Sequence, residues 1–287
     1  MTKTGKNEAL SAYFENQKSV LIAFSGGVDS ALLASFAAAA GINALAVTVK
    51  TELVSDREIQ NALETANEIG ILHIFIEKKM LEIPEIKNNQ KDRCYACKKE
   101  MFETLLKYAE DNGFETVIEG TNYSDKLMND SNEIPRPGYS ALLELKEKRG
   151  AKLPKIETPL ADLKITKEEI REIARRKNLA VADKPSMSCL ATRFSYDFPL
   201  TSEILKTIDA AEKMIENLGA RQIRIRCHTD DTGRNIARVE VGKGEGRIFF
   251  DEKNQKGIEE FILFLKQNGF SYMTIDLEGF RSGSMDI

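Results

Sequence analysis

Cysteine is scarce, with four in 287 residues. So few thiols in so long a chain do not make a disulfide scaffold, and close spacing between any of them points to metal binding or chemistry. Long apolar runs are missing too: no stretch approaches the ~18 residues that cross a bilayer, so a membrane role has no support. Nor is there an excess of positive charge. The formal net charge is −4, so no broad basic surface advertises nucleic acid, and only a local groove would serve that purpose. The opening residues 1–8 are polar and lysine-bearing with no apolar segment behind them, which predicts a chain without a secretory signal in a cytoplasmic, reducing compartment. With 42% hydrophobic and 30% charged residues, the length suits two globular domains of roughly 150 residues each.

Residues 19–24 form a short apolar run ending at Ser-Gly-Gly, followed by an alanine-rich stretch at 31–40 and a stop at Gly41: strand, loop, helix. A strand at 44–49, a helix at 56–69 capped by Gly70 and a strand at 72–76 repeat the pattern. A helix at 98–111 then leads into a strand at 116–119. This alternation predicts an α/β fold, a parallel sheet with helices on both faces. Ligands of such sheets bind at the carboxyl ends of the strands, where Ser25, Thr48 and Gly120 fall. Residues 122–159 read mostly as loop, with a short helix at 139–148. Thr166 caps a helix reaching 177, with Glu169 completing a capping box, and 183–189 reads as irregular chain. Beyond 196 the order changes to helix (201–218), two strands (222–228, 235–241), helix (256–268) and strand (272–277). That is a small α+β domain, so the expected domains are 1–195 and 196–287. No internal repeat or low-complexity tract is present.

The loop Ser25-Gly26-Gly27-Val28-Asp29-Ser30 carries the sharpest signal. Two glycines after a buried strand let the backbone approach a phosphate, and the following helix offers free N–H groups and a positive dipole end. Ser25 and Ser30 add hydroxyls. Asp29 repels phosphate, so its expected task is to hold a Mg2+ ion that bridges phosphates. A tight strand-to-helix turn is the plainer alternative. Gly120-Thr121-Asn122 is a second candidate loop over a nucleotide, with a plain turn as its alternative.

Cys94-Tyr95-Ala96-Cys97 has the spacing that turns two sulfurs toward one metal, just before a helix. Thioredoxin-like redox chemistry and zinc are two readings; with Cys189 added, a three-thiolate iron–sulfur cluster is a third. Cys189 lies in a stretch without period, with Arg193 four residues on to stabilise a thiolate or bind an anion. Cys227 falls on the apolar face of its strand with Ile223 and Ile225, which predicts core packing. His228 shares the polar face with Arg224 and Arg226, and His73 receives no role.

The Ser25 to Ser30 loop resembles the PP-loop of the ATP pyrophosphatases, which split ATP between the α and β phosphates and transfer AMP to a carbonyl or carboxylate oxygen. The Gly-Lys-Ser/Thr of the P-loop is absent. Together with Arg93-Cys94-Tyr95-Ala96-Cys97-Lys98-Lys99, residues 119–122, Arg136-Pro137-Gly138, residues 184–194 and 237–241, and Gly279-Phe280-Arg281-Ser282-Gly283-Ser284-Met285, it resembles the LarE family over nearly the whole chain. These are pyridinium-3,5-biscarboxylic acid mononucleotide sulfurtransferases. The resemblance implies a PP-loop (adenine nucleotide alpha hydrolase-like) fold and adenylylation of a pyridinium mononucleotide carboxylate with release of AMP and pyrophosphate. Sulfur then gives a thiocarboxylate on the way to a nickel-pincer cofactor. It also implies a homo-oligomer, a hexamer in the family.

Some family members sacrifice the sulfur of one cysteine matching Cys189; others carry three cysteines and a [4Fe-4S] cluster. This chain has the three-cysteine pattern, Cys94, Cys97 and Cys189, with sulfide or another donor to recharge it. The implied ATP site is Ser25, Gly26, Gly27, Asp29, Ser30, Thr48, Gly120, Thr121 and Asn122. The implied substrate site is Arg193, Arg224, Arg226, Arg238, Glu240 and Arg281, for which a solvated, salt-bridged sheet is the alternative. Cys189, Asp29 and Arg193 are the expected catalytic residues. The stretch 123–155 is longer than the family's usual link. Two other functions fit the residues less fully: a cluster-dependent tRNA thiolation enzyme, and a nucleotide-binding regulatory protein with structural zinc.

Overall fold

The computed structural model describes residues 3–130, 137–185, 187–281 and 283–285. In chain order these form α1 (Lys3–Glu15), β1 (Ser19–Ala23), α2 (Val28–Ala40), β2 (Asn43–Lys50), α3 (Asp56–Ile69), β3 (His73–Glu77), α4 (Pro84–Lys87), α5 (Arg93–Asp111), β4 (Thr116–Ile118) and α6 (Tyr123–Asp130). Then follow α7 (Pro137–Arg149), β5 (Lys155–Glu157), α8 (Pro159–Asp162), α9 (Lys167–Arg176), α10 (Ser202–Asn217), β6 (Ile223–Thr229), β7 (Asn235–Val241), α11 (Gln255–Gln267) and β8 (Phe270–Ile275). The chain divides into two compact units, residues 1–51, 56–79 and 92–187, and residues 52–55, 80–91 and 188–287.

The first unit holds a five-stranded parallel sheet in the order β3-β2-β1-β4-β5, flanked by helices. β1 and β4 are apolar and buried along nearly their whole length because helices cover them. Leu10 and Phe14 of α1, Leu32, Leu33 and Phe36 of α2, and Ile170 of α9 close a core with Ile22 and Ile118. Each such side chain, fully buried, contributes roughly 1.5–3 kcal/mol. The predicted capping box of α9 is present: the Glu169 N–H donates to Thr166 Oγ1, and Glu169 Oε2 accepts the Thr166 N–H.

Two local expectations need correction. Residues 122–159 are not mostly loop: α6, α7 and β5 occupy much of the segment, with the short helix expected at 139–148 lying inside α7. Asn122 and Asp125 cap α6 reciprocally: the Asp125 N–H donates to Asn122 Oδ1 at 3.1 Å, and the Asn122 N–H donates to Asp125 Oδ2 at 3.3 Å. Proline at the first position starts α7, which buries Ala141, Leu142 and Leu145. The second correction is that Cys94 and Cys97 lie within α5 rather than ahead of it. Burial of Arg93 and a hydrogen bond from the Tyr95 phenol to Glu144 of α7 hold that added first turn.

The second unit packs α10 and α11 with a three-stranded sheet, β6-β7-β8, antiparallel then parallel. Ile223, Ile225 and Cys227 of β6 lie opposite Val241, Val239 and Ala237 of β7, and all six are buried. Cys227 is core, as expected, and its burial pushes the thiol up to about 12.

Candidate active site

β1 delivers the Ser25 to Ser30 loop to the carboxyl edge of the first sheet beside β4. The strand order there turns from β1-β2-β3 to β4-β5, the place where such sheets bind ligands. Gly27 is the N-cap of α2 and no side chain caps that end, which suits the first-turn N–H groups to an anion. Gly26 has φ +69°, and a Cβ there would lie 2.6 Å from the Ala62 Cα, so glycine alone fits. Ser30 Oγ donates to the Gly27 carbonyl at 3.1 Å and accepts the Ser25 N–H at 3.3 Å.

A pocket of about 590 Å³ opens over this loop, lined by Ser25, Asp29, Ser30, Gly120 and Thr121, and also by Cys94, Lys98 and Tyr139. Asp29 Oδ1 accepts a hydrogen bond from Asn122 Nδ2 at 3.1 Å, and its other oxygen is ion-paired with Lys167, the first residue of α9. Lys98 Nζ lies 2.6 Å from Glu119 Oε1, while Glu119 Oε2 accepts the Thr121 N–H at 2.7 Å. Burial pushes the Glu119 carboxyl up, but the Lys98 charge and these hydrogen bonds outweigh it and hold the group below its ordinary value. Thr48, expected at the nucleotide, is buried instead: its hydroxyl donates to the Phe24 carbonyl at 2.6 Å and meets His73 Nε2 at 2.8 Å.

Of the residues expected from the sequence, Ser25, Asp29, Ser30, Gly120 and Thr121 line this pocket and Asn122 holds Asp29; Lys98 and Glu119, which were not among those expected, line it too, and Lys167 pairs with Asp29. Lys98 follows Cys94 by one helical turn, a spacing that would have placed it on the same face once α5 was started at Arg93.

Asp29, at the edge of the pocket and partly exposed, fits Mg2+, which takes one or two carboxylates and completes its shell with phosphate oxygens and water. The thiols are a different case. Cys94 is exposed and lines the pocket, Cys97 is half-buried with its sulfur 3.9 Å from Met101 Sδ, and Cys189, exposed, belongs to the second unit. Among the described residues no group of three or more Cys, His, Asp or Glu is gathered to hold a metal ion.

In the second unit, Arg224 pairs across the strands with Glu240 and Arg226 with Arg238, which sets all four on one face. This face is no solvated surface. Glu240 is fully buried, held by Arg226 at 2.9 Å, Arg238 at 3.1 Å and the Ser284 hydroxyl at 2.6 Å. Arg238 also pairs with Asp276 and donates to His228 Nε2 at 3.0 Å. Burial foremost, then the Arg238 charge, keeps the His228 pKa low. Arg224 stacks over Phe280, 5.4 Å from its centroid, and Arg281 is half-exposed, 2.9 Å from Glu278.

Arg193 is fully buried, forked onto Glu212 at 2.9 and 3.0 Å. Its remaining nitrogen donates to the Ser188 and Cys189 carbonyls at 2.8 and 3.1 Å, which ties down the turn that carries the Cys189 thiol.

Residues 18–190 match the family described as the tRNA methyl transferase HUP domain, and with the glycine loop at the sheet's edge this defines a PP-loop protein of the HUP class. The chain is 34% identical over 282 residues to an uncharacterized protein of Synechocystis sp., covering 98% of this chain and 97% of the relative. It is 32% identical over 290 residues to the pyridinium-3,5-bisthiocarboxylic acid mononucleotide synthase of Lactiplantibacillus plantarum, covering 99% of this chain and 95% of that one. The chain belongs to the family of that synthase, LarE. A tRNA-specific 2-thiouridylase of Rickettsia bellii is 26% identical over 196 residues, 60% of this chain and 53% of the relative.

Proposed function

We propose that this chain is an ATP-dependent sulfurtransferase that adenylylates a carboxylate of a pyridinium mononucleotide and replaces AMP with sulfur. The observation that carries the reading is the pocket over the Ser25 to Ser30 loop. An uncapped helix end, two glycines and Asp29 stand together at the sheet's switch point in a chain aligned end to end with the LarE synthase. Mg2+ held by Asp29 would neutralise phosphate charge. The helix end and Lys167 add positive potential beside it. A substrate carboxylate oxygen attacks the α-phosphorus and pyrophosphate leaves; a sulfur nucleophile then adds to the acyl carbon, and AMP departs with the C–O electron pair.

The sulfur reservoir proposed for this chain is the trio Cys94, Cys97 and Cys189, with a [4Fe-4S] cluster as the form that the family resemblance implies. No step above depends on it. Anaerobic purification with iron, sulfide and zinc analysis tests it, and zinc without iron would overturn it. The activity itself is tested by incubating the protein with Mg-ATP, sulfide and either the pyridinium dicarboxylate mononucleotide or tRNA. Pyrophosphate and AMP released with the mononucleotide alone are the expected result; release only with tRNA would assign the chain to the thiouridylases.

A further inference from the structure

Thr48 and His73 have no place in the chemistry above, yet they form a short, partly buried hydrogen-bonded chain that ends on the glycine loop. The Phe24 carbonyl can only accept, so the Thr48 hydroxyl, 2.6 Å away, spends its single hydrogen there. The contact of 2.8 Å between Thr48 Oγ1 and His73 Nε2 then needs its proton from the ring. His73 is therefore the Nε2–H tautomer, and Nδ1 carries the lone pair. Nδ1 is buried with no hydrogen-bond partner among the described residues, and the ring packs edge-on against Phe24 at 5.4 Å and Phe75 at 4.6 Å. A second proton would sit in that apolar wall, in keeping with the lowering of the His73 pKa by burial.

What the chain grips is informative. Phe24 lies one residue beyond the end of β1, and its carbonyl shares a planar peptide with the Ser25 N–H. Fixing the oxygen fixes the direction of that N–H, the first donor of the glycine loop, which here meets Ser30 Oγ at 3.3 Å. We infer that His73, through Thr48, is a positioning residue that sets the orientation of the Phe24–Ser25 peptide and so the aim of the phosphate-binding loop. The functional part of this inference rests on the ATP reading above; the tautomer and the peptide orientation do not.

The chain has two histidines, so a long-range proton–nitrogen correlation spectrum of the 15N-labelled full-length protein resolves both rings, and loss of one set in His73→Phe assigns it. The expected spectrum shows His73 with Nδ1 at the unprotonated position and Nε2 protonated. The Nδ1–H form, or a rapidly exchanging mixture, would overturn the proposal. Thr48→Val, which deletes the relay hydroxyl, should move the Ser25 and Gly26 amide resonances and weaken Mg-ATP binding about fivefold, the worth of one hydrogen bond. Thr48→Ser should restore both. Unmoved amides in Thr48→Val would overturn the positioning. Wild-type protein that fails to bind ATP would sink the ATP reading alone, leaving the amide shifts as the measure.

Discussion

The polar groups of the two units are arranged on opposite principles. Around the glycine loop, Asp29, Lys167 and Lys98 are partly exposed, and each carboxylate is shared between one lysine and one N–H donor. In the second unit the charges are sunk: Glu240 of β7 and Glu212 of α10 are fully enclosed and each is saturated by arginine and neutral donors. Partly solvated pairs contribute little to stability and exchange partners readily, whereas breaking a buried pair strands a charge. The first region is thus built to trade its partners for a ligand, and the second to hold a shape.

The largest effect expected from this contrast is in the second region. Glu240→Ala leaves Arg226 and Arg238 facing each other across the ladder without their shared carboxylate, and should destabilise that unit by about 3–5 kcal/mol. Denaturant unfolding measures this, and a loss below about 1 kcal/mol would erase the contrast. Asp29→Asn should do the converse, costing about 100-fold or more in pyrophosphate release while stability stays within about 1 kcal/mol. Undiminished release would remove the magnesium role.

Arg281→Ala sharpens the comparison from within the second unit, because this arginine is half-exposed and loosely paired. Use of the anionic mononucleotide should fall about tenfold with little change in ATP affinity, as one charge-assisted hydrogen bond is worth about 1.5–3 kcal/mol. Equal losses for both ligands would return it to a structural role. The smallest effect concerns Glu119. Its pKa is held below the ordinary 4.5, so its contribution to stability is complete above that pH and is lost as pH falls through the lower folded value. Glu119→Gln should flatten that part of the acid limb in a pH series of unfolding curves; an unchanged acid limb would show the Lys98 pair to be inert.

Most elements were legible because their signals are local. The end of the β1 apolar run at Ser-Gly-Gly, the stop at Gly41 and the Thr166 capping box act within a few residues, and α3 and β7 fall at their expected bounds. Residues 122–159 were misread although a reciprocal cap stood in plain view at Asn122 and Asp125. The segment's proline and glycine look like helix breakers in a linear reading, whereas Pro137 and Gly138 open α7. Cys94 and Cys97 were set outside α5 because what holds that first turn, Glu144 on α7, is 49 residues from Tyr95.

By itself the sequence determined the kind of loop at residues 25–30, the parallel sheet behind it and the apolar face that buries Cys227, all of which follow from periodicity and steric rules acting over one or two turns of chain. Only the tertiary structure decided which charges work in pairs. Lys167 reaches Asp29 across 138 residues, Lys98 reaches Glu119, Arg193 turns inward to Glu212, and Thr48 leaves the pocket for Phe24 and His73. Such partners are chosen by the order of strands and the packing of helices, because a charged or hydroxyl group in a low-dielectric interior must find its complement wherever the fold brings one within reach.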